Sequence, residues 1–225
     1  MERDMFLLGV VILLSYLIGS IPTSLIVSRA AKGIDIREHG SGNAGGTNVW
    51  RILGWKYGLL VIILDALKGV FAVVLISRLY YGNFPFNNLT PFDDFTLVQL
   101  IAGITAVLGH VWSVFASFKG GKGIATGMGI LVALATVDLL VGVGIFFLAI
   151  IISRYVSLGS ILAAISIPLT MIIRENIFHA HIEGYGTLLP FLIGLAVLVV
   201  YTHRKNISRI INGIESKISF AKKKS

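Results

Sequence analysis

The chain has 225 residues, 56% hydrophobic and only 13% charged, with 19 Lys and Arg against 11 Asp and Glu for a net charge of +8. Soluble domains run near roughly a quarter charged, so this composition excludes an ordinary globular domain and a disordered chain and points to the bilayer. Cysteine is absent, which excludes thiolate nucleophiles, acyl-cysteine intermediates, Cys-ligated metal centres and disulfides; the basic excess reads as an inner-face or anion-handling charge, with no nucleic-acid partner.

In chain order, uncharged apolar stretches predict the spans. Met5 to Ser28 is the first, a retained helix because the preceding Met-Glu-Arg-Asp lacks the basic start of a signal peptide. Tyr57 to Ser77 follows, interrupted by Asp65 and Lys68, and then Phe95 to Phe118, which contains His110. Ile124 to Ser153 carries Asp138 in its middle and reads either as one long tilted helix or as two short ones turning at Asp138. Tyr155 to Ile173 and Gly184 to Thr202 complete the set, before a polar tail ending in Lys222, Lys223 and Lys224.

The positive-inside rule decides for two short helices. That choice gathers Arg29, Lys32, Arg37, Arg51, Lys119, Lys122, Arg154, Arg204, Lys205, Arg209 and the lysine tail on one side. It leaves Arg3, Arg78 and Arg174 outside with Asp93, Asp94, Asp138, Glu175 and Glu183. Two helices of about 14 residues reach only about 21 Å each, too short for a full bilayer. The expected fold is therefore an all-α integral membrane protein of seven transmembrane helices, N-terminus outside and C-terminus cytoplasmic, forming one membrane-embedded domain over residues 1–225.

Three inner segments carry polar chemistry. Gly40 to Asn48, followed by Arg51, combines glycines that permit φ > 0 with Ser41, Asn43, Thr47 and Asn48 and an arginine fork suited to phosphate or carboxylate. Phe118 to Gly123 is a glycine turn bearing Lys119 and Lys122 at the start of a helix, a phosphate cradle without Walker spacing. His203 to Arg209 ends the last span; in a helix, His203, Asn206 and Ile207 share a face. Within the spans, Asp65 and Lys68 pair at i, i+3, either as a structural pair or as support for a neighbouring site. His110 reads as packing or an interfacial hydrogen bond. No metal site has ligand spacing.

Together these motifs resemble the bacterial membrane glycerol-3-phosphate acyltransferases that use acyl phosphate as donor. The resemblance lies in Ser41-Gly42-Asn43-x-Gly45-x-Thr47-Asn48, in Gly120-Gly121-Lys122-Gly123 and in His203-Arg204-x-Asn206-x-x-Arg209. Leu64-Asp65-x-x-Lys68-Gly69, Gly109-His110, Arg154-Tyr155-Val156-Ser157 and Gly213-x-Glu215 add to it. Two positions depart from the pattern: Ser113 stands where proline commonly follows Gly-His, and Lys205 where glutamate is common.

The resemblance implies a seven-helix fold with its active site at the cytoplasmic face of the bacterial inner membrane. It also implies acyl transfer to the 1-position of glycerol 3-phosphate, giving lysophosphatidic acid and phosphate, with membrane lipid around the acyl chain and no metal or other cofactor. Ser41, Arg51 and Lys122 are then expected on phosphate, and His203 and Asn206 on the glycerol hydroxyls, as the catalytic set. Gly42, Asn43, Thr47, Asn48, Gly120, Gly121, Gly123 and Arg209 would complete substrate binding, with backbone N–H groups of 120–123 facing the leaving phosphate or the oxyanion. His203, Ser41 and a donor phosphate oxygen remain alternative proton acceptors. A small-anion transporter is the rival from another class. A thioester-dependent acyltransferase is disfavoured, because none of His39, His110, His179, His181 and His203 has Asp five positions later.

Overall fold

The computed structural model describes residues 1–90, 92–182 and 184–218; Glu183, Lys222, Lys223 and Lys224 of the charge count lie outside the described residues. The described residues form helices and no strand: α1 (Glu2–Ser20), α2 (Thr23–Lys32), α3 (Gly46–Leu53), α4 (Trp55–Val74), α5 (Asp94–Val111), α6 (Ile124–Leu134), α7 (Thr136–Ser153), α8 (Val156–Asn176), α9 (Tyr185–Thr202) and α10 (Arg204–Ile211). Among the described residues, 6 stretches are long and apolar enough to cross a membrane. The chain divides into two compact units, Met1–Leu134 and Ala135–Ser225.

In the first unit the expected first span is broken at Ile21 and Pro22. Proline has no N–H to continue the ladder. Carbonyls left open in an apolar layer need other donors. Lys68 Nζ donates to the Gly19 and Ile21 carbonyls at 3.2 and 2.9 Å, and Ser113 Oγ donates to the Ser20 carbonyl at 2.5 Å. The departure from proline at Ser113 thus has a physical use, since proline has no side-chain donor. Small residues bring the helices close: a Cβ on Gly19 would overlap the Ala106 backbone, and one on Gly109 the Tyr16 carbonyl, where α1 crosses α5. Gly69 against Thr126 and Gly129 against Ala66 do the same for α4 and α6. The apolar core between α1, α4 and α5 is built on Val11, Ala72, Val98, Ala102 and Ala106.

The second unit opens with a correction. The expected turn at Asp138 lies earlier, at Ala135, so a helix of 11 residues is followed by one of 18 rather than two of about 14. Asp138 instead sits in the first turn of α7, where the helix dipole favours a carboxylate. There it takes Arg174 Nη1 of α8 at 2.7 Å. Arg154, in the left-handed conformation, turns the chain from α7 into α8.

Candidate active site

In the first unit, Asn48 shapes the first polar loop. Its side chain is 1% exposed. Nδ2 donates to the carbonyls of Ile36, His39 and Asn43 at 3.0, 2.9 and 3.1 Å, and Oδ1 accepts from the Ser41 N–H at 2.9 Å. The asparagine expected to touch substrate is therefore committed to holding residues 36–48 in one shape. Gly42 sits at φ 71°, a conformation this curl needs and a side chain would resist. Asp35 and Arg37 brace the loop from outside: Arg37 binds Asp35 at 2.7 Å and the Ala116 carbonyl at 3.0 Å. The Arg37 hydrogen bonds hold the Asp35 carboxyl well below the usual carboxylate range.

The loop then becomes the N-terminus of α3, a helix the sequence reading did not anticipate. Gly45 precedes it, Thr47 lies in its first turn and Arg51 toward its end. Ser41, Asn43, Thr47 and Arg51 are each half-buried, whereas Gly42 is exposed. Gly46 lets α3 lie against α4, since a Cβ there would meet the Gly58 carbonyl and Ile62.

The glycine turn 120–123 packs against this loop. A Cβ on Gly121 would overlap His110 Nε2 and press on the Ala44 carbonyl, and one on Gly120 would overlap the His110 carbonyl. The structure therefore brings the second motif onto the first and puts Lys122, half-buried, one residue beyond the contact. One expectation changes. The N–H groups of Gly120 and Gly121, expected to face phosphate, instead donate to the Val111 and His110 carbonyls at 3.2 and 3.0 Å and fasten the turn. Gly123, at φ 81°, ends the turn and α6 begins at the next residue.

Beneath the turn lies a buried polar group that the sequence reading saw only in part. Asp65 and Lys68 pair at 2.7 Å as the i, i+3 spacing indicated. The partners from other helices were not legible: Thr23 donates to Asp65 at 2.5 Å, and His110 Nδ1 lies 3.3 Å from Lys68 Nζ.

In the second unit, the third motif is helical as expected. His203 joins α9 to α10, and its carbonyl accepts from the N–H groups of Asn206 and Ile207 at 2.8 and 2.9 Å. Its ring is buried, 2% exposed, with Nδ1 2.8 Å from the Val199 carbonyl. A carbonyl only accepts, so Nδ1 of His203 carries a proton and donates it there.

Asn206 and Arg209 meet on a residue that was quoted for its resemblance and given no role, Glu215. Oε1 of Glu215 accepts from Asn206 Nδ2 at 2.7 Å and from Ser157 Oγ at 2.8 Å, and Oε2 accepts from Arg209 Nε at 2.6 Å. Burial raises the Glu215 pKa, but the bonds from Arg209, Asn206 and Ser157 outweigh it and leave the carboxyl below its ordinary value. Arg209, expected on substrate, has its Nε on this carboxylate. The signal that locates Glu215 is the left-handed Gly213 two residues before it, which turns the chain back after α10.

Known proteins resemble the chain over nearly its whole length. A family model described as glycerol-3-phosphate acyltransferase matches residues 9–213. The glycerol-3-phosphate acyltransferase of Chlorobaculum tepidum is 48% identical over 231 residues, covering 95% of this chain and 97% of that protein. The one from Pelodictyon phaeoclathratiforme is 45% identical over 236 residues, covering 97% of this chain and 100% of that protein. Two crystal structures of PlsY (YgiH), an integral membrane glycerol 3-phosphate acyltransferase, are similar in fold. The glycerol 3-phosphate form superposes with a TM-score of 0.75 at 35% identity, and the lysophosphatidic acid form with 0.74 at 34%, each covering 96% of both chains. The chain belongs to the glycerol-3-phosphate acyltransferase family.

Proposed function

We propose that this protein transfers an acyl group from acyl phosphate to the 1-position of glycerol 3-phosphate, giving lysophosphatidic acid and inorganic phosphate, at the cytoplasmic face of a bacterial inner membrane. The observation that carries the reading is the seating of Gly121 against Ala44, which joins the loop bearing Lys122 to the loop bearing Ser41. Two glycine-shaped loops with a lysine, an arginine and a serine suit anionic phosphate groups. The glycerol 3-phosphate and lysophosphatidic acid forms of the similar crystal structures support substrate and product.

In this reading Ser41, Arg51 and Lys122 bind phosphate, with Gly42, Asn43, Thr47 and Gly123 lining the loops. His203 and Asn206 orient the glycerol hydroxyls, and Asn48, Gly120, Gly121, Arg209 and Glu215 hold the others in place. Acyl phosphate is a mixed anhydride, already activated, so no covalent enzyme intermediate is needed. The 1-hydroxyl oxygen attacks the acyl carbon, the bond from that carbon to the phosphate oxygen breaks, and the departing phosphate takes the hydroxyl proton. Substrate-assisted transfer makes His203 a positioning group. His203→Ala is expected to keep measurable turnover with a raised KM for glycerol 3-phosphate; loss of all turnover with both substrates bound normally would make His203 the obligatory base.

We read the chain as one acyltransferase domain, supported by the uninterrupted family match. We also read seven crossings, α6 being the short one at about 16 Å for 1.5 Å per residue. The Asp138–Arg174 pair joins the start of α7 to the end of α8, which supports reading them as neighbouring antiparallel crossings. The reading is tested with purified protein in lipid vesicles given acyl phosphate and glycerol 3-phosphate. Lysophosphatidic acid and phosphate are expected without any gradient; movement of labelled phosphate across the vesicle with no acylated product would identify a transporter instead.

A further inference from the structure

We infer that His110 is a positioning residue for Lys122, acting through the glycine turn between them, and that Thr23, Asp65 and Lys68 hold its ring for that purpose. The inference rests on the acyl-transfer reading above.

Ionic groups inside a membrane layer are costly, and an apolar replacement of similar volume is often as stable. This group is nonetheless sealed: Asp65 is 2% exposed, Lys68 6%, His110 7% and Thr23 8%. Lys68 is fixed from several sides, by Asp65 at 2.7 Å, by the Gly19 and Ile21 carbonyls, and by His110 Nδ1 at 3.3 Å. Nδ1 of His110 faces the Asp65–Lys68 pair, 3.3 Å from Lys68 Nζ and 3.6 Å from Asp65 Oδ1, and Nε2 is the opposite end of the ring. That end of the ring lies under Gly121, where a Cβ would strike Nε2 and the Ala44 carbonyl together.

His110 also grips the same turn through its backbone. Its carbonyl accepts from the Gly121 N–H at 3.0 Å, and the next carbonyl, Val111, accepts from Gly120 at 3.2 Å. Side chain and main chain of one residue thus fix the position and tilt of the turn, and Lys122 follows it directly. The ring lies against the turn at the point where the second loop meets the first. The network sets the place from which Lys122 reaches the substrate phosphate, and displacement of such a group by about 1 Å is enough for a large loss of rate.

A double-mutant cycle separates this role from a purely structural one. Wild type, His110→Ala, Lys122→Ala and the double variant are purified in detergent, and kcat/KM and Tm are measured for each. His110→Ala is expected to lower kcat/KM by about 10- to 50-fold in the wild-type background and by less than about 3-fold in the Lys122→Ala background. Equal fold-losses in the two backgrounds, or a lower Tm with kcat/KM unchanged, would overturn the inference. Should His110→Ala fail to fold, the cycle is run with His110→Asn, which keeps an acceptor oxygen on the side facing Lys68. That variant is expected to retain more kcat/KM than a further His110→Asn, Lys68→Met pair and to show the same dependence on Lys122. Wild-type protein that makes no lysophosphatidic acid would overturn the acyl-transfer reading and this inference with it. Active wild type without coupling would overturn the inference alone.

Discussion

Lys122→Ala is expected to lower kcat/KM by about 100- to 1000-fold, the cost of removing one preorganised transition-state donor. The reasoning starts from its setting. The turn that carries it is fastened by the Gly120 and Gly121 N–H groups and cannot easily relax toward a shortened side chain. Lys122 is half-buried, so its charge acts on a phosphate with less screening than in bulk water. A charge pair at contact distance contributes about 4 kcal/mol at an effective dielectric near 20, before desolvation, which lies at the upper end of the expected loss. Negative charge on the departing phosphate grows along the reaction, so most of the effect belongs in kcat. Lys122→Arg is expected to recover little, because a broad planar guanidinium does not present the compact point charge of an ammonium. A loss smaller than about 5-fold for Lys122→Ala would remove Lys122 from the proposed phosphate site.

Glu215→Ala is expected to destabilise the protein by about 3 to 5 kcal/mol, as for breaking a buried ion pair from one side. The Glu215 side chain is 1% exposed and Arg209 29%, so the charge left behind is only partly able to reach water. Asn206 Nδ2 and Ser157 Oγ lose their acceptor at the same time. Glu215→Gln keeps an acceptor for Asn206 and Ser157 but sets an amide or a neutral oxygen against Arg209, and a loss of about 2 kcal/mol is expected.

The pH dependence follows with a definite sign. The folded Glu215 carboxyl titrates below its unfolded value, so its contribution is complete above the unfolded pKa of about 4.3 and is lost as pH falls through the lower folded pKa. In detergent, the Tm of wild type should fall more steeply in acid than that of Glu215→Ala, and the two should converge. Parallel Tm curves would show that Glu215 is not the hub described here.

Much of this arrangement was legible locally. Apolar runs marked the spans, and i, i+3 spacing correctly paired Asp65 with Lys68. The break at Ile21 and Pro22 was missed because the apolar run from Met5 to Ser28 reads as one continuous span. The turn at Ala135 was missed because Asp138 looks like an interruption from sequence alone, whereas a carboxylate paired with Arg174 suits a helix start. What periodicity could not supply were bonds between distant residues. Thr23 to Asp65, Ser113 to Ser20 and Ser157 to Glu215 join residues 42, 93 and 58 positions apart. Asn48 was legible as a polar loop residue, but not as one whose amide is used up within the loop. The motifs marked the polar segments, while which of their side chains and N–H groups are bound up within the protein depended on the fold.

The central claim is that an activated phosphate anhydride, rather than a thioester, supplies the acyl group. Purified protein in lipid is given glycerol 3-phosphate with either acyl phosphate or acyl-CoA of the same chain length, and lysophosphatidic acid and inorganic phosphate are quantified together. With acyl phosphate the two products are expected one for one, and with acyl-CoA no lysophosphatidic acid is expected. Equal turnover with acyl-CoA, or no product from acyl phosphate, would contradict the claim.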